Sequence, residues 1–299
     1  MKDLLISHIA DPDGISPICL LNLTKIKFDY ELKEINEIDD YISKLLDTDL
    51  SIYRYIYITD LSLSENTYNL INNSAFKYKF KVFDHHKTHL FATKYDYVTI
   101  DINECGTTLF FKYLSKNKRF KKSVKEYVEH IKNIDLWLWQ KNNDMIAKDI
   151  NNLFDIYGRN RYIDEITKKL KKHSFKISKF EKKLLLLEQS KIDRYILKKE
   201  EEMIKIKFGG LIAGLVFCER YKSELGNSIC SNHPEIDYII MINLAGGISF
   251  RCSKDLDISE IAVKLNGGGH KKACGAPISN EERIKIIKDI FKGCEIIDK

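Results

Sequence analysis

No CxxC pair occurs in the 299 residues, and the cysteine count, seven, is odd. Cys19, Cys105, Cys218, Cys230, Cys252, Cys274 and Cys294 therefore fit neither a disulfide framework nor a zinc knuckle, and a cytoplasmic chain is expected. No apolar run approaches the ~18 residues a membrane helix needs. The start, "MKDLLISHIADPDG", lacks the long apolar core of a secretory signal. Internal repeats and low-complexity tracts are absent too. Charge of one sign does not dominate: the net charge is +6, which suits an anionic ligand but is not the basic stripe of a duplex-DNA binder. What is present is 44% hydrophobic residues, enough to fill a core in one large domain or two ordinary ones.

The first half alternates β-rich runs with helical stretches. "KDLLISH" precedes a helical "SPICLLNL", "YRYIYITD" precedes "SENTYNLINNS", and "FKYKFKVFDHH" and "YDYVTID" precede "GTTLFFKYLSKN". This order predicts an α/β fold, an open and mainly parallel sheet with helices on both faces. Residues 122–139 read as a helix, with Val124, Tyr127, Val128 and Ile131 on one face. Residues 160–203 read as charged helices joining two domains, their lysines solvated. After residue 204 come strands around Gly209-Gly210, a hairpin at Gly246-Gly247, a short helix "DISEIAVKL" and a last helix "EERIKIIKDIFK". The expected organisation is a first domain at 1–157, a helical linker at 158–203 and a smaller α/β domain at 204–299.

Ionisable residues collect where the first domain's strands end. The first run leads into His8, Asp11 and Asp13, the second into Asp60, the third into Asp84, His85 and His86. In an open parallel sheet these ends line the ligand crevice. A lone aspartate there is usually a cap or turn residue, but three strands delivering carboxylates and imidazoles to one edge are hard to explain that way. Asp11, Asp13, Asp60 and Asp135 clustered together would repel and raise one another's pKa values. Two divalent cations cancel that charge, and a mixed carboxylate–imidazole set suits Mn²⁺, less specifically Fe, Co or Zn. Such a pair clamps a phosphoryl group and activates water for attack on phosphorus. Pro12 biases Asp11 toward an extended backbone, and Gly14 allows a tight turn.

The ordered segments "SHIADPDG", "YITD", "FDHHKT", "NIDLWLW" and "GGGHKKACGAPI" together resemble the DHH/DHHA1 phosphoesterases, from Ser7 to Pro277. The "IDLWLW" segment is most similar to the short-oligonucleotide nucleases of that family. The resemblance implies a DHH-type first domain and a DHHA1-type second one. It implies that His8, Asp11 and Asp60 hold one metal, and that Asp13, Asp60, His85 and Asp135 hold the other. Asp84 would orient a histidine, and His86 would contact the phosphate or protonate the leaving oxygen. The first motif departs from the family's usual spacing, with Ile9 and Ala10 between His8 and Asp11. In the second domain "ISFRC" alternates with period two. There the resemblance implies that Arg251, Gly268, Gly269 and His270 grip the substrate's terminal phosphate, the glycines converging their amides into an anion nest. Trp137 and Trp139 are expected as core or cleft wall rather than as stacking platforms.

The expected activity is metal-dependent 3′→5′ hydrolysis of short RNA or DNA oligonucleotides, with the second domain closing on the substrate end. No long aromatic-basic groove for tracking a strand is visible. Hydrolysis of 3′-phosphoadenosine 5′-phosphate, or of linear or cyclic dinucleotides, is the enzymatic alternative. A nucleotide-sensing module is the non-enzymatic one, and the intact ligand set argues against it. No membrane partner is expected, and a homodimer is left open.

Overall fold

A computed structural model describes residues 1–295. The chain forms two compact units, Met1–Leu185 and the residues from Leu186 onward.

In the first unit the elements run β1 (Lys2–His8), α1 (Pro12–Leu21), β2 (Phe28–Lys33), α2 (Ile38–Leu46), β3 (Tyr53–Thr59), α3 (Glu65–Asn73), β4 (Phe80–Asp84), β5 (Val98–Ile100), α4 (Gly106–Ser115), α5 (Lys122–Asp135), α6 (Met145–Leu170) and α7 (Lys179–Glu201), which continues into the second unit. The five strands form one sheet in the order β2-β1-β3-β4-β5, every pair parallel. Period-two alternation feeds two cores. Leu5, Tyr57 and Phe83 point into one with α1, α4, α5 and α6. Leu4, Ile6, Ile56, Ile58 and Val82 point into the other with α2 and α3. Strands buried on both faces read as continuous apolar runs, which is why β1, β3 and β4 are legible. Each fully buried Leu or Ile contributes about 1.5–3 kcal/mol. β2 and α2 carry no strong sequence signal, because β2 is an edge strand buried on neither face.

The order of this sheet places β2 and β3 on opposite sides of β1. The chain reverses direction across the sheet there, and the C-terminal ends of β1 and β3 flank the resulting crevice. His8 ends β1 and Asp60 directly follows β3.

Two helix ends differ from the pattern. Apolar spacing continues to residue 139, yet α5 stops at Asp135 and Trp137 adopts φ 57°. Residues 158–185, placed by their charge in a linker, belong to the first unit, with Tyr162, Ile163, Ile166 and Leu170 in its core. α6 itself breaks at Gly158 (φ 66°). Residues 171–178 are not helical. A reciprocal cap starts α7: Ser178 N donates to Glu181 Oε2 at 2.6 Å and Glu181 N donates to Ser178 Oγ at 3.2 Å.

The second unit contains β6 (Ile204–Phe208), β7 (Leu211–Phe217), α8 (Lys222–Asn232), β8 (Tyr238–Asn243), β9 (Gly247–Arg251), α9 (Ser259–Lys264), β10 (Gly268–His270), β11 (Ala273–Ala276) and α10 (Asn280–Ile290). Its six-stranded sheet is ordered β10-β11-β9-β8-β7-β6. Only β7 and β8 pair in parallel. The turn between β6 and β7 uses Gly209 and Gly210 at φ 64° and 80°, the left-handed pair a two-residue hairpin requires. α8 covers one face of the sheet and α9 the other.

Candidate metal centre

Asp11 caps α1 in an extended conformation (φ −146°, ψ 172°), as the following Pro12 demands, and accepts from Gly14 N at 2.9 Å. The cap turns its second oxygen back toward β1, where Asp11 Oδ2 lies 3.1 Å from His8 Nδ1. The spacing of Ile9 and Ala10 thus keeps His8 and Asp11 together. Gly14 serves close approach rather than a turn: a Cβ on it would meet His8 O at 2.2 Å. Asp60 lies 3.4 Å from His8 Nδ1 through Oδ2 and 3.2 Å from His85 Nε2 through Oδ1, so it stands between the two imidazoles. It does so at φ 54°, a left-handed conformation that costs a non-glycine residue about 1–3 kcal/mol and clusters at functional sites. His85 Nδ1 in turn lies 3.5 Å from Asp135 Oδ2 at the end of α5.

Asp13, in the first turn of α1, is held from the other side. Gly106 N and Thr107 N, opening α4, donate to its two carboxylate oxygens at 2.7 and 2.8 Å, and Thr107 Oγ1 donates to its carbonyl at 2.7 Å. Position 106 has no room for a side chain, since a Cβ there would sit 2.8 Å from Asp60 Cβ and 3.1 Å from Asp13 Oδ2. Gly106, Thr107 and the buried Cys105 are site residues that sequence reading misses. They lie more than ninety residues from Asp13 and carry no local signal beyond a glycine at a helix start.

Asp84 is fully buried. It accepts from Ser62 Oγ at 3.0 Å, from His85 N at 2.8 Å and from His86 Nδ1 at 2.7 Å. It fixes the His86 ring so that Nε2 is the free nitrogen. Ser62 is a further residue the motifs do not reveal. Asp135 does not pair with Lys132, which instead reaches Glu104 at 3.2 Å.

Three sets of donor atoms each fall within 4.8 Å of one another: His8, Asp11 and Asp60; Asp13, His85 and Asp135; and Asp60, His85 and His86. The electrostatics of the cluster ask for positive charge. Burial, with Asp60 and Asp11 nearby, pushes Asp13 up to about 7. Burial and Asp13 push Asp135 up to about 9. Burial works against the charged form of His8, yet Asp11 and Asp60 lift it to about 10. His85 likewise rises to about 10 against its burial, through Asp60, Asp135 and Asp13. Asp60 Oδ2 and Asp135 Oδ2 are buried and make no hydrogen bond, only the longer ion-pair contacts with His8 and His85, which is costly unless something else binds them. Buried orphan carboxylate oxygens beside imidazole nitrogens are a donor set that fits divalent cations.

The second-unit residues lie on their own sheet. Arg251 of β9 and His270 of β10 both stand opposite Ala273 of β11. They occupy one row, two strands and about 10 Å apart, on the same face. Arg251 is half-buried, its stem against Gly226, and donates from Nη1 to Phe250 O at 2.9 Å. Burial lowers its pKa. Gly268 and Gly269 form strand β10, paired with Gly275 and Cys274, rather than the free anion-cradling loop that a glycine run suggests. His270 is exposed.

A doubly wound sheet with this cluster at its switch point, followed by a mixed-sheet unit carrying the arginine row, is similar to the DHH/DHHA1 phosphoesterases. The DHHA1 domain itself matches residues 219–294. The chain is 32% identical over 249 residues to oligoribonuclease NrnB of Bacillus subtilis, covering 79% of this chain and 62% of that protein. It is 20% identical over 286 residues to a 3′,5′-cyclic-nucleotide phosphodiesterase of Helicobacter pylori, covering 81% and 82%. It shares its fold with the pGpG-specific phosphodiesterase PggH of Vibrio cholerae, at 15% identity and a TM-score of 0.58 over 97% of each chain. Among the described residues no helix is long and apolar enough to cross a membrane.

Proposed function

We propose that this chain is a divalent-metal-dependent phosphodiesterase that removes nucleotides from the 3′ end of short oligonucleotides. The observation that carries the reading is the pair of buried oxygens without a hydrogen bond on Asp60 and Asp135 within a cluster of His8, Asp11, Asp13 and His85. Two ions would be held there, one by His8, Asp11 and Asp60, the other by Asp13, Asp60, His85 and Asp135, with Mn²⁺ the best match to the donor types. When bound, such ions supply an activated water and neutralise charge on the phosphoryl group. The chain's own groups do the rest. Gly106 and Thr107 hold the Asp13 carboxylate in place, and Asp60 sits between the two imidazoles. Asp84 anchors His86 through Nδ1 and raises its pKa, leaving Nε2 to give a proton to the departing oxygen. Arg251, Gly268, Gly269 and His270 bind the substrate's terminal phosphate. Catalysis thus belongs to the first unit and the grip on the terminal phosphate to the second.

A second reading keeps the same site but takes a smaller phosphate ester, as a phosphatase or phosphodiesterase of small nucleotides. The names of the Helicobacter and Vibrio proteins favour a 3′,5′-cyclic nucleotide and the linear dinucleotide pGpG; cyclic dinucleotides and the phosphomonoester 3′-phosphoadenosine 5′-phosphate are the other small candidates. One assay tests both readings. End-labelled RNA and DNA of two to about 24 nucleotides, phosphoadenosine phosphate and a cyclic dinucleotide are ranked by kcat/KM with Mn²⁺. The expected result is highest kcat/KM on the shortest RNA, a ladder shrinking from the 3′ end, and no turnover in chelator. Full turnover after exhaustive metal removal would sink the proposal. So would inertness toward every one of these substrates, which is the outcome a sensing module predicts.

A further inference from the structure

The sequence holds two tryptophans, Trp137 and Trp139. An indole is normally well covered, yet Trp137 is 53% exposed, so it is not a core residue. Its backbone sits at φ 57°, a region a bulky side chain enters only when its surroundings impose it. Those surroundings are explicit. Trp137 N donates to Ile134 O at 3.0 Å, and Leu138 N and Trp139 N both donate to Asn133 O, at 2.8 and 3.1 Å. Asn133 is buried. Its Nδ2 donates to Asp144 Oδ2 at 2.8 Å, and its Oδ1 accepts from Asn142 Nδ2 at 2.8 Å. His130 Nδ1 donates to the same Asp144 oxygen at 2.7 Å, while Asp144 Oδ1 caps α6 at Ala147 N. Helix end, turn and next helix start are thereby tied together, and the product is one ring held out toward solvent. Trp139 meets it edge-on, at 6.3 Å between centroids and 74°, which fixes the ring's tilt.

The position of this ring matters. Trp137 follows Asp135 by two residues, so their Cα atoms are at most about 7 Å apart. Exposed Gln140, Lys141 and Asn142 flank it. An exposed aromatic face two residues from the proposed metal ligand Asp135, with a cation and amides following in the same turn, matches a ligand that joins a flat ring to a phosphate. We propose that Trp137 is a stacking platform for a nucleobase of the substrate, and that the pinned turn exists to present it without loss of side-chain entropy on binding. This inference rests on the nucleotide reading above and adds the part of the substrate that is recognised.

The test uses a diribonucleotide and its abasic counterpart, in which both bases are replaced by hydrogen. In the Trp139→Phe variant Trp137 is the sole indole. Its fluorescence should be quenched by the diribonucleotide, read in chelator, and not by the abasic compound. In steady state with Mn²⁺, Trp137→Ala should raise KM for the diribonucleotide roughly 5- to 100-fold and leave kcat and the abasic KM within about twofold. Trp137→Phe should recover most of the loss. Equal quenching by both compounds, no quenching by either, or a KM change shared by both substrates would overturn the proposal. If Trp137→Ala fails to fold, the fluorescence arm and Trp137→Phe still decide. Quenching without hydrolysis would sink the enzymatic reading and keep the platform. Hydrolysis with an indifferent Trp137 would do the reverse.

Discussion

The two units treat buried charge in opposite ways. At the sheet edge of the first, carboxylates outnumber imidazoles, and two oxygens make no hydrogen bond. On the sheet of the second, Arg251 is half-buried, its guanidinium donates to a backbone carbonyl, and the pull on its pKa comes from burial rather than a carboxylate. One region is short of positive charge and the other of negative charge. Under the proposed function, divalent cations would answer the first deficit and a substrate phosphate the second. Changes at the carboxylate–imidazole cluster should therefore act on turnover, and changes at Arg251 on binding.

The largest effect is expected from Asp60→Asn. Asparagine tolerates the left-handed backbone at this position and keeps the side-chain shape, so charge alone is removed. We expect kcat to fall well beyond the ~10- to 100-fold typical of a residue that merely orients a ligand, with Mn²⁺ affinity by calorimetry falling in parallel and Tm nearly unchanged. Near-wild-type kcat would remove Asp60 from its proposed place between two ions. Arg251→Ala comes next. It should raise KM about 10- to 100-fold, the worth of a hydrogen bond to a charged group, with kcat little altered. A fall in kcat with KM unchanged would break the division of labour between the cluster and Arg251.

What the sequence makes legible follows from which forces are local. Strand ends are local, so His8, Asp60, Asp84 and His85 can be placed on one edge once a parallel sheet is recognised from apolar runs. Glycine pairs are local too, and Gly209-Gly210 turns where it should. The hold on Asp13 is not local. Nothing near Gly106 or Thr107 announces a partner in α1. The end of α5 is hidden for another reason. The apolar spacing runs on through Leu138, and only the convergence of two amides on Asn133 O diverts the chain. The start of α7, by contrast, was open to reading: Ser178 and Glu181 stand in the S-x-x-E pattern of a reciprocal cap, masked by the lysine-rich composition around them.

That same Glu181 offers a third kind of buried charge, and the smallest expected effect on activity. Lys169 Nζ reaches its Oε2 at 2.6 Å, both side chains are nearly inaccessible, and Tyr157 and Ser178 supply the remaining hydrogen bonds. Here nothing is left over for a ligand to satisfy. Burial pushes the Glu181 carboxyl up, but the hydrogen bonds from Lys169 and Ser178 outweigh it and hold the pKa below its ordinary 4.5. A depressed carboxylate stabilises the fold fully above the unfolded-state pKa, and that contribution is lost as pH falls through the folded one. Glu181→Gln should therefore lower Tm at pH 7, where breaking a buried pair costs about 3–5 kcal/mol, and the gap to wild type should narrow below about pH 4.5. KM and kcat at a temperature where both proteins are folded should stay within about twofold, inside the tenfold that 1.4 kcal/mol represents. A large loss of turnover with Tm intact would mean that this satisfied pair belongs to the catalytic machinery after all, and that an unsatisfied oxygen is not what distinguishes the site.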